Sequence, residues 1–242
     1  MLSYELRNLL RARWLYGYAG LFFGIASLTL SFSEGGDRAL LALAHASILV
    51  IPLVSAVAAA NSTYVRKPYD AFLLTQPVSR AVVFSAAVGA LVITFAGSFF
   101  IPGAAVVLPA GLPLVPTSRM LLASVALSTN CVLAGVLVAT WIEERTRGLG
   151  VLLLAWLIAA LVYDGALLYV IVAFEEYPIE PLLTAAVLFN PIDAVRLVLY
   201  QDLGLRFLLP VVLPSGAVWL SLALWGVVLL GLGLRAFLKK DY

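Results

Sequence analysis

The chain has very little charge and few side chains that ligate metals or act as nucleophiles. Of its 242 residues only 12% are charged, with one histidine, one cysteine and two methionines. Soluble domains average roughly 25% charged residues, so this composition excludes an ordinary soluble protein. The single cysteine, Cys131, excludes a disulfide within the chain. A copper relay is also disfavoured, because its cysteine, methionine and histidine ligands must be clustered.

The sequence also lacks the short motifs of common catalytic and nucleotide-binding sites. It has no G-x-x-x-x-G-K-[ST] loop, so the chain has no visible ATP site of its own. H-E-x-x-H and G-x-S-x-G are absent too, which leaves protease and hydrolase chemistry without support. We therefore expect no enzyme activity in this chain, no bound metal, no resident cofactor and no nucleic-acid partner.

Long apolar runs are what the sequence has in abundance. Six runs carry no charge, apart from Asp164 in the fifth, and they cover residues 14–32, 39–60, 81–118, 120–142, 148–174 and 207–234. A helix needs about 20 apolar residues to cross the hydrocarbon core, whereas membrane strands alternate apolar and polar residues. The runs predict an all-α integral membrane protein with six transmembrane helices in one domain, residues 1–242.

The distribution of basic residues predicts the orientation. With the N-terminus inside, eleven of the fifteen Lys and Arg residues fall in inner segments, as the positive-inside rule requires. These eleven are Arg7, Arg11, Arg13, Arg66, Lys67, Arg80, Arg145, Arg147, Arg235, Lys239 and Lys240. We expect both termini to be cytoplasmic.

The N-terminal segment has the pattern of an amphipathic helix. Leu2, Leu6, Leu9 and Leu10 recur at helical spacing, with charged residues between them. Such a helix lies in the membrane interface, as an elbow before the first span. Its charges either only set the topology or also contact a cytoplasmic partner through residues such as Arg7. In the first span a close-approach spacing is formed by Gly17, Gly20 and Gly24.

The inner stretch 61–80 predicts a short separate helix between the second and third spans. Pro68 suits a first helical position, Asp70 favours the positive end of the helix dipole, and Pro77 ends the helix. Its apolar side chains either dip into the interface or form a docking surface for a cytoplasmic protein. The docking surface comprises Pro68, Tyr69, Asp70, Phe72, Leu73 and Leu74.

The outer stretch 175–214 predicts a helical hairpin before the sixth span. Residues 182–189 and 192–200 are apolar but too short to cross, and Asn190-Pro191 breaks them. The hairpin is either re-entrant and packed on protein or flat on the outer surface. Asp193 and Arg196, three apart, are expected to form an exposed pair on one helix face. The expected gate or partner contact comprises Glu175, Glu176, Asn190, Pro191, Asp193 and Arg196.

Three polar residues inside the spans are expected to face the bundle interior or a translocation pathway. Asp164 is the only charge within a span, and a carboxylate at mid-membrane costs about 2.5–3.5 kcal/mol, so it should be paired. His45 is expected to pair with Asp164, to serve as a ligand or to form an interior hydrogen bond. Asn130 fits a hydrogen bond between helices.

This layout resembles the ABC-2 type permeases, the membrane subunits of ABC transporters whose ATPases are separate chains. Within them it is most similar to the permease of the nitrous-oxide-reductase maturation transporter, the NosY type. The resemblance rests on YELRNLLRARW from Tyr4, FLLTQPVSR from Phe72, LVYDGALL around Asp164 and LFNPIDAVRL from Leu188. One departure is that Arg66 to Tyr69 stand where family members usually have acidic residues and glycine.

The resemblance implies a homodimer with two copies of a cytoplasmic ATPase that binds ATP and Mg²⁺, and a periplasmic accessory protein. It places the chain in the prokaryotic cytoplasmic membrane. There it would export a small cargo or transmit force to the outer partner, in maturation of a copper–sulfur centre. Two other classes stay open: a non-transporting anchor or assembly scaffold, and a proton-coupled carrier that uses Asp164. Only the permease should bring down an ATPase.

Overall fold

The computed structural model describes residues 1–32, 36–174, 176–202 and 213–240, with only the backbone of Asp37. All regular structure in these ranges is helical. The helices are α1 (Leu2–Leu10), α2 (Arg13–Phe32), α3 (Gly36–Leu73), α4 (Arg80–Val107), α5 (Leu114–Trp141), α6 (Arg145–Leu157), α7 (Tyr163–Ala173), α8 (Glu180–Phe189), α9 (Pro191–Asp202) and α10 (Ser215–Lys239). A π-helical turn, Ile158–Val162, joins α6 to α7.

Six helices of the described ranges are long and apolar enough to cross a membrane: α2, α3, α4, α5, α6–α7 and α10. The prediction of a multi-pass, all-helical protein is therefore confirmed. The second, third and fourth spans form most of the core. Only 11% of the fifth span and 17% of the sixth are buried, against 61% of the fourth. These two spans leave broad apolar faces for lipid or another protein.

The helices α3 and α5 approach each other closely at Gly135. A Cβ atom on Gly135 would lie 2.2 Å from the carbonyl oxygen of Ala56. One turn further along each helix, Ala60 and Ala139 are fully buried. Small residues at four-residue spacing let two helix backbones come close in a membrane. The glycines expected to mark a contact, Gly17, Gly20 and Gly24, would instead have no described atom within 4 Å of an added Cβ.

The separate helix expected between the second and third spans is wrong. Pro68 lies inside α3, which continues to Leu73 without a break. An interior proline removes one backbone hydrogen bond but does not always end a helix, so the N-terminal signal at Pro68 was misleading. At 38 residues, α3 far exceeds the roughly 20 that cross a bilayer. Because its uncharged part ends near Ala60, we expect its last turns to project beyond the membrane.

Four chain segments gather at the end of the bundle where α3 finishes, which we call the inner end. The Arg80 guanidinium donates to the carbonyls of Leu238 and Lys240, at 3.0 and 2.9 Å. The Lys67 ammonium approaches the Ile142 carbonyl at 3.5 Å. Since α1 packs on α4 and lines a cavity together with Asp70, Val83 and Phe237, the N-terminal helix and the end of α10 lie at the same end. Which side of the membrane this is stays a prediction from charge.

At the opposite, outer end, α8 and α9 form the expected hairpin. The two helices meet at Asn190 with a bend of 115°. Almost every residue of α9 from Ile192 to Tyr200 is buried, and the helix packs against α3, α5 and α10. The hairpin is therefore packed on protein, while its depth relative to the membrane stays a prediction.

Candidate functional site

A cluster of charged and polar side chains joins the outer hairpin to the fifth span. The Arg196 guanidinium donates to the carboxylate of Asp164 and, at 2.8 Å, to that of Asp193. The Asn190 amide donates to the second oxygen of Asp193 at 2.8 Å and to the carbonyl of Ala159 at 2.8 Å. One cation thus lies between two carboxylates, and Asn190 connects this charge group to the backbone of the fifth span.

The π-helical turn creates the place where the hairpin binds. The Tyr163 N–H bonds to the carbonyl of Ile158, five residues back, whereas in an α-helix it would bond to that of Ala159. The Ala159 carbonyl instead accepts the Asn190 amide. The Tyr163 hydroxyl also donates to the carbonyl of Ala186 in α8, at 2.8 Å. The fifth span makes three hydrogen-bonded contacts to the hairpin, through Ala159, Tyr163 and Asp164, and the first two lie in or directly after the π-turn. Such turns are frequent at functional sites.

Three further contacts hold the hairpin to other spans. Because the carbonyl of Leu41 only accepts, His45 donates to it through Nδ1 at 2.8 Å, and Nε2 accepts from the Tyr200 hydroxyl at 2.9 Å. Arg119 of the fourth span binds Asp202 at 2.6 Å. In the sixth span, the Ser221 hydroxyl donates to the carbonyl of Leu188 at 2.6 Å. The hairpin therefore contacts the second, fourth, fifth and sixth spans.

The residues expected at the outer surface lie at two different depths. Asn190 and Asp193 are only 5% and 1% exposed, so the exposed Asp193–Arg196 pair expected from the sequence is wrong: the pair forms, but it is buried. Glu176 is exposed, and Glu175 lies outside the described residues. The burial arises from packing of α9 on three spans, which three-residue spacing alone does not reveal. The gate and partner roles stay predictions.

The three polar residues within the spans have the following partners. Asp164 is paired with Arg196, as expected for a carboxylate at membrane depth. Asn130 donates through its amide to the carbonyl of Leu222 in α10, at 3.1 Å, which confirms a hydrogen bond between helices. His45 bonds to Tyr200 rather than to Asp164. No pattern in the sequence marks Tyr163 or Tyr200, which resemble ordinary core aromatics.

At the inner end, the expected docking surface divides into an exposed and a buried part. Phe72 is 61% exposed and Tyr69 37% exposed; Arg7 and Pro68 are exposed as well. Asp70 is 5% exposed, and Leu73 and Leu74 pack against the hydrophobic core. Only the exposed part is available to a partner in this structure.

Asp70 is buried because it belongs to an ion-pair group with α1. The Arg66 guanidinium binds Asp70 at 2.7 Å and Glu5 at 3.0 Å. Burial raises the pKa of Glu5 above its ordinary value, Arg66 opposes this rise and the charge of Asp70 adds to it. The spacing of Arg66 and Asp70, four residues apart, was a readable signal for their pairing. No local pattern predicted the contact with Glu5, which lies in the N-terminal helix α1, far from Arg66 in the sequence.

The described residues give no support for a metal centre, since no three His, Cys, Asp or Glu side chains of these ranges gather as ligands. A comparison with models of known protein families finds no match for this chain. A comparison with curated proteins finds no match either. The arrangement that remains is a six-span bundle with a projecting helix end on one side and a charge-linked hairpin on the other.

Proposed function

We propose that this chain is the membrane permease subunit of an ABC transporter of the ABC-2 type, working with a separate ATPase chain. The observation that carries the proposal is the inner end of α3. A helix that extends past the bilayer and presents Phe72 and Tyr69 to solvent has the surface of a docking element, because exposed apolar patches mark interaction sites.

The continuity of α3 provides a mechanical path for the proposed coupling. With no break at Pro68, a force on the projecting end acts directly on the second span. The Tyr69 ring stacks on Tyr4 of α1 with centroids 6.1 Å apart, so α1 moves with it. The second span in turn contacts the hairpin through His45 and Tyr200. This path would couple an ATPase at the inner end to rearrangement at the outer end.

The outer end supports the second half of the proposal. The hairpin contacts four spans, so a change in span packing alters its position, and the exposed Glu176 lies beside it. In the proposed function this movement exports a small cargo or transmits force to a periplasmic accessory protein. Maturation of a copper–sulfur enzyme centre is the process that the resemblance of LFNPIDAVRL and FLLTQPVSR suggests.

A homodimer in the prokaryotic cytoplasmic membrane completes the proposal. The fifth and sixth spans are mostly unburied, and the fifth carries the Asp164 side chain at 34% exposure. A second copy packed against the fifth span would cover this carboxylate and part of the apolar face. The two copies would then present two α3 ends to two ATPase subunits.

Substitution of Phe72 tests the ATPase partnership. When the wild-type chain is solubilised from its native membrane and purified, it should retain a partner that hydrolyses Mg-ATP. Phe72→Asp should reduce the retained ATP turnover by more than about tenfold, since a hot-spot aromatic contributes 2 kcal/mol or more to binding. Phe174→Asp is the matched control, because Phe174 is exposed at the outer end and its change should have no effect.

Two other results would contradict the proposal, the first its docking surface and the second the permease class itself. Full retention of ATP turnover by Phe72→Asp would place the docking surface elsewhere. A wild-type chain that retains no ATPase at all would contradict the permease and favour the anchor or scaffold.

A further inference from the structure

A cavity of about 590 Å³ lies at the inner end of the bundle, between α1, the end of α3 and the start of α4. Val136 of α5 and Phe237 of α10 contribute to its inner wall. The volume falls within the ~300–1,000 Å³ of typical small-molecule sites. The cavity is distinct from the hairpin cluster, and of the exposed docking residues only Tyr69 lines it.

The cavity reaches from the inner surface into the membrane interior. Its lining runs from Asn61 to Asp70 on α3 and from Val83 to Leu91 on α4. At 1.5 Å per residue, each stretch covers about 12–14 Å along the bundle. Because α3 and α4 run in opposite directions, Asp70 and Val83 lie at the mouth, and Asn61 and Leu91 lie deepest. The cavity is thus deep enough to hold a lipid headgroup and the first part of the acyl chains of the lipid.

The side chains change from charged to apolar along this depth. The mouth holds Glu5, Asp70 and Arg66, and Arg11 lies on its rim. The deep part is lined by Val88 and Leu91, which are 4% and 5% exposed. A ligand that satisfies both parts must be amphiphilic, with a polar head at the inner surface and a hydrocarbon chain between the helices.

The charges at the mouth of the cavity determine which headgroup the ligand carries. Glu5 and Asp70 share a single guanidinium, that of Arg66, at 3.0 and 2.7 Å. These three groups carry one surplus negative charge in a partly buried place. Burial raises the pKa of Glu5 and the charge of Asp70 adds to this rise, while Arg66 and the amino terminus oppose it. A primary ammonium would balance the surplus and donate hydrogen bonds to both carboxylates, while the exposed guanidinium of Arg11 suits a phosphate.

A deeper polar group fits the same ligand. The Oδ1 atom of Asn61 is buried and has no hydrogen-bond partner among the described residues. Unpaired buried polar atoms are uncommon, so this one points to a missing partner. A half-turn of the amide exchanges Oδ1 for Nδ2, which would then donate to an ester carbonyl at the level between headgroup and chains.

The rim carries the aromatic side chains of a membrane interface. Tyr4 and Trp14 are 58% and 40% exposed beside the opening, and tyrosine and tryptophan are enriched at the level of lipid headgroups. We propose that this cavity binds one phospholipid with a primary-amine headgroup. Its ammonium lies beside Arg66 and donates to the carboxylates of Glu5 and Asp70, its phosphate lies at Arg11 and an acyl chain lies along α4. The bound lipid fills the space beneath α1 and holds that helix against the bundle.

Competition between lipids tests the proposal. The purified chain in mild detergent is given equal amounts of dioleoyl phosphatidylethanolamine, phosphatidylcholine and phosphatidylglycerol, and bound lipid is measured by native mass spectrometry. The ethanolamine lipid should be retained about tenfold over the choline lipid, because one net hydrogen bond of ~1.4 kcal/mol corresponds to that ratio. The two headgroups have the same charge and differ in three N-methyl groups, which remove the hydrogen-bond donors and enlarge the ammonium.

Two variants locate the bound lipid. Ala87→Phe places a ring in the cavity lining and should abolish retention, whereas Ala96→Phe, further along the same helix and outside the lining, should not. Glu5→Gln keeps an acceptor for Arg66 but removes the surplus charge, so the ethanolamine preference should fall to near unity. Thermal melts establish that each variant is folded.

The proposal is overturned by equal retention of the three lipids, or by retention that survives Ala87→Phe. If that variant does not fold, an undiminished ethanolamine preference in folded Glu5→Gln overturns it. A preference for the glycerol lipid would also contradict it, since an anionic head would then be the better match.

Discussion

At the scale of single residues, Arg196 has the most consequential position. It is the only cation in contact with Asp164 and Asp193 among the described residues, and its side chain is 16% exposed. Removal of one member of a buried charge pair is costly, because the remaining charge stays desolvated without a partner. The loss of stability caused by each substitution in this group therefore depends on whether it leaves a buried charge without a partner.

We expect Arg196→Gln to destabilise the protein by about 3 kcal/mol, since Asp193 would remain buried without a cation. Asp164→Asn should cost about 1 kcal/mol or less, because its partly exposed carboxylate leaves the Arg196–Asp193 pair intact. Thermal unfolding in detergent measures both, with the exposed Arg235→Gln as control. Asp164→Asn should express normally and, in the proposed complex with an ATPase, alter the ATP turnover. Equal stability of the two variants would show that the cluster is not one electrostatic unit.

At the scale of helices, the contact between α3 and α5 combines small residues with a buried hydrogen bond between the hydroxyls of Ser55 and Ser128, at 3.1 Å. Gly135 lies against the Ala56 carbonyl, and Tyr64 of α3 donates through its hydroxyl to the carbonyl of Ile142 at 2.9 Å. Gly148 is also confined, because its added Cβ would lie 1.8 Å from the Tyr64 hydroxyl. The second span therefore leaves no room for a methyl group where it faces the fourth span at Gly135 and the fifth span at Gly148.

Gly135→Ala should destabilise the bundle by about 1–3 kcal/mol, the usual cost of overpacking a core. The added methyl group meets backbone atoms of α3, which cannot rotate away as a side chain would. Gly20→Ala is the matched control, because an added Cβ there meets nothing within 4 Å and alanine favours the helix by up to about 1 kcal/mol. Melting midpoints of the two variants should move in opposite directions, and a neutral Gly135→Ala would mean that α3 and α5 are further apart.

At the scale of the whole molecule, the two ends of the bundle differ in chemistry. The inner end has the end of the long helix α3, a cavity with charged and apolar walls and most of the basic residues. The outer end has the hairpin and the acidic segment that follows the fifth span. An even number of spans places α1 and the chain end on one side, and the charge bias assigns that side to the cytoplasm.

Cysteine labelling tests this orientation. In a Cys131→Ser background, single cysteines at Glu176 and Gln76 stand at exposed positions of opposite ends. Asp202 is less suitable, since its side chain is only 10% exposed and paired with Arg119. A membrane-impermeant maleimide should label Glu176→Cys in intact cells, and Gln76→Cys only after permeabilisation. The reverse pattern would invert the topology and with it the proposed ATPase face.

The sequence by itself determined the spans, their order and the position of the hairpin. Crossing a bilayer needs about 20 consecutive apolar residues, which is a local requirement that each run meets alone. The break at Asn190-Pro191 and the amphipathic pattern of 2–10 were local as well. The charge bias gave the predicted orientation for the same reason, because it depends on composition rather than on contacts.

The tertiary structure alone decided which side chains meet. Asp164 and Arg196 are 32 positions apart and His45 and Tyr200 are 155 apart, and no local pattern pairs them. The π-turn exists where Asn190 takes the Ala159 carbonyl, and Pro68 stays inside α3 although its local preference was for a helix start. The close approach at Gly135 rather than at Gly17 has the same cause. Small residues occur on many helix faces, and only the packing of the whole bundle selects the faces that touch.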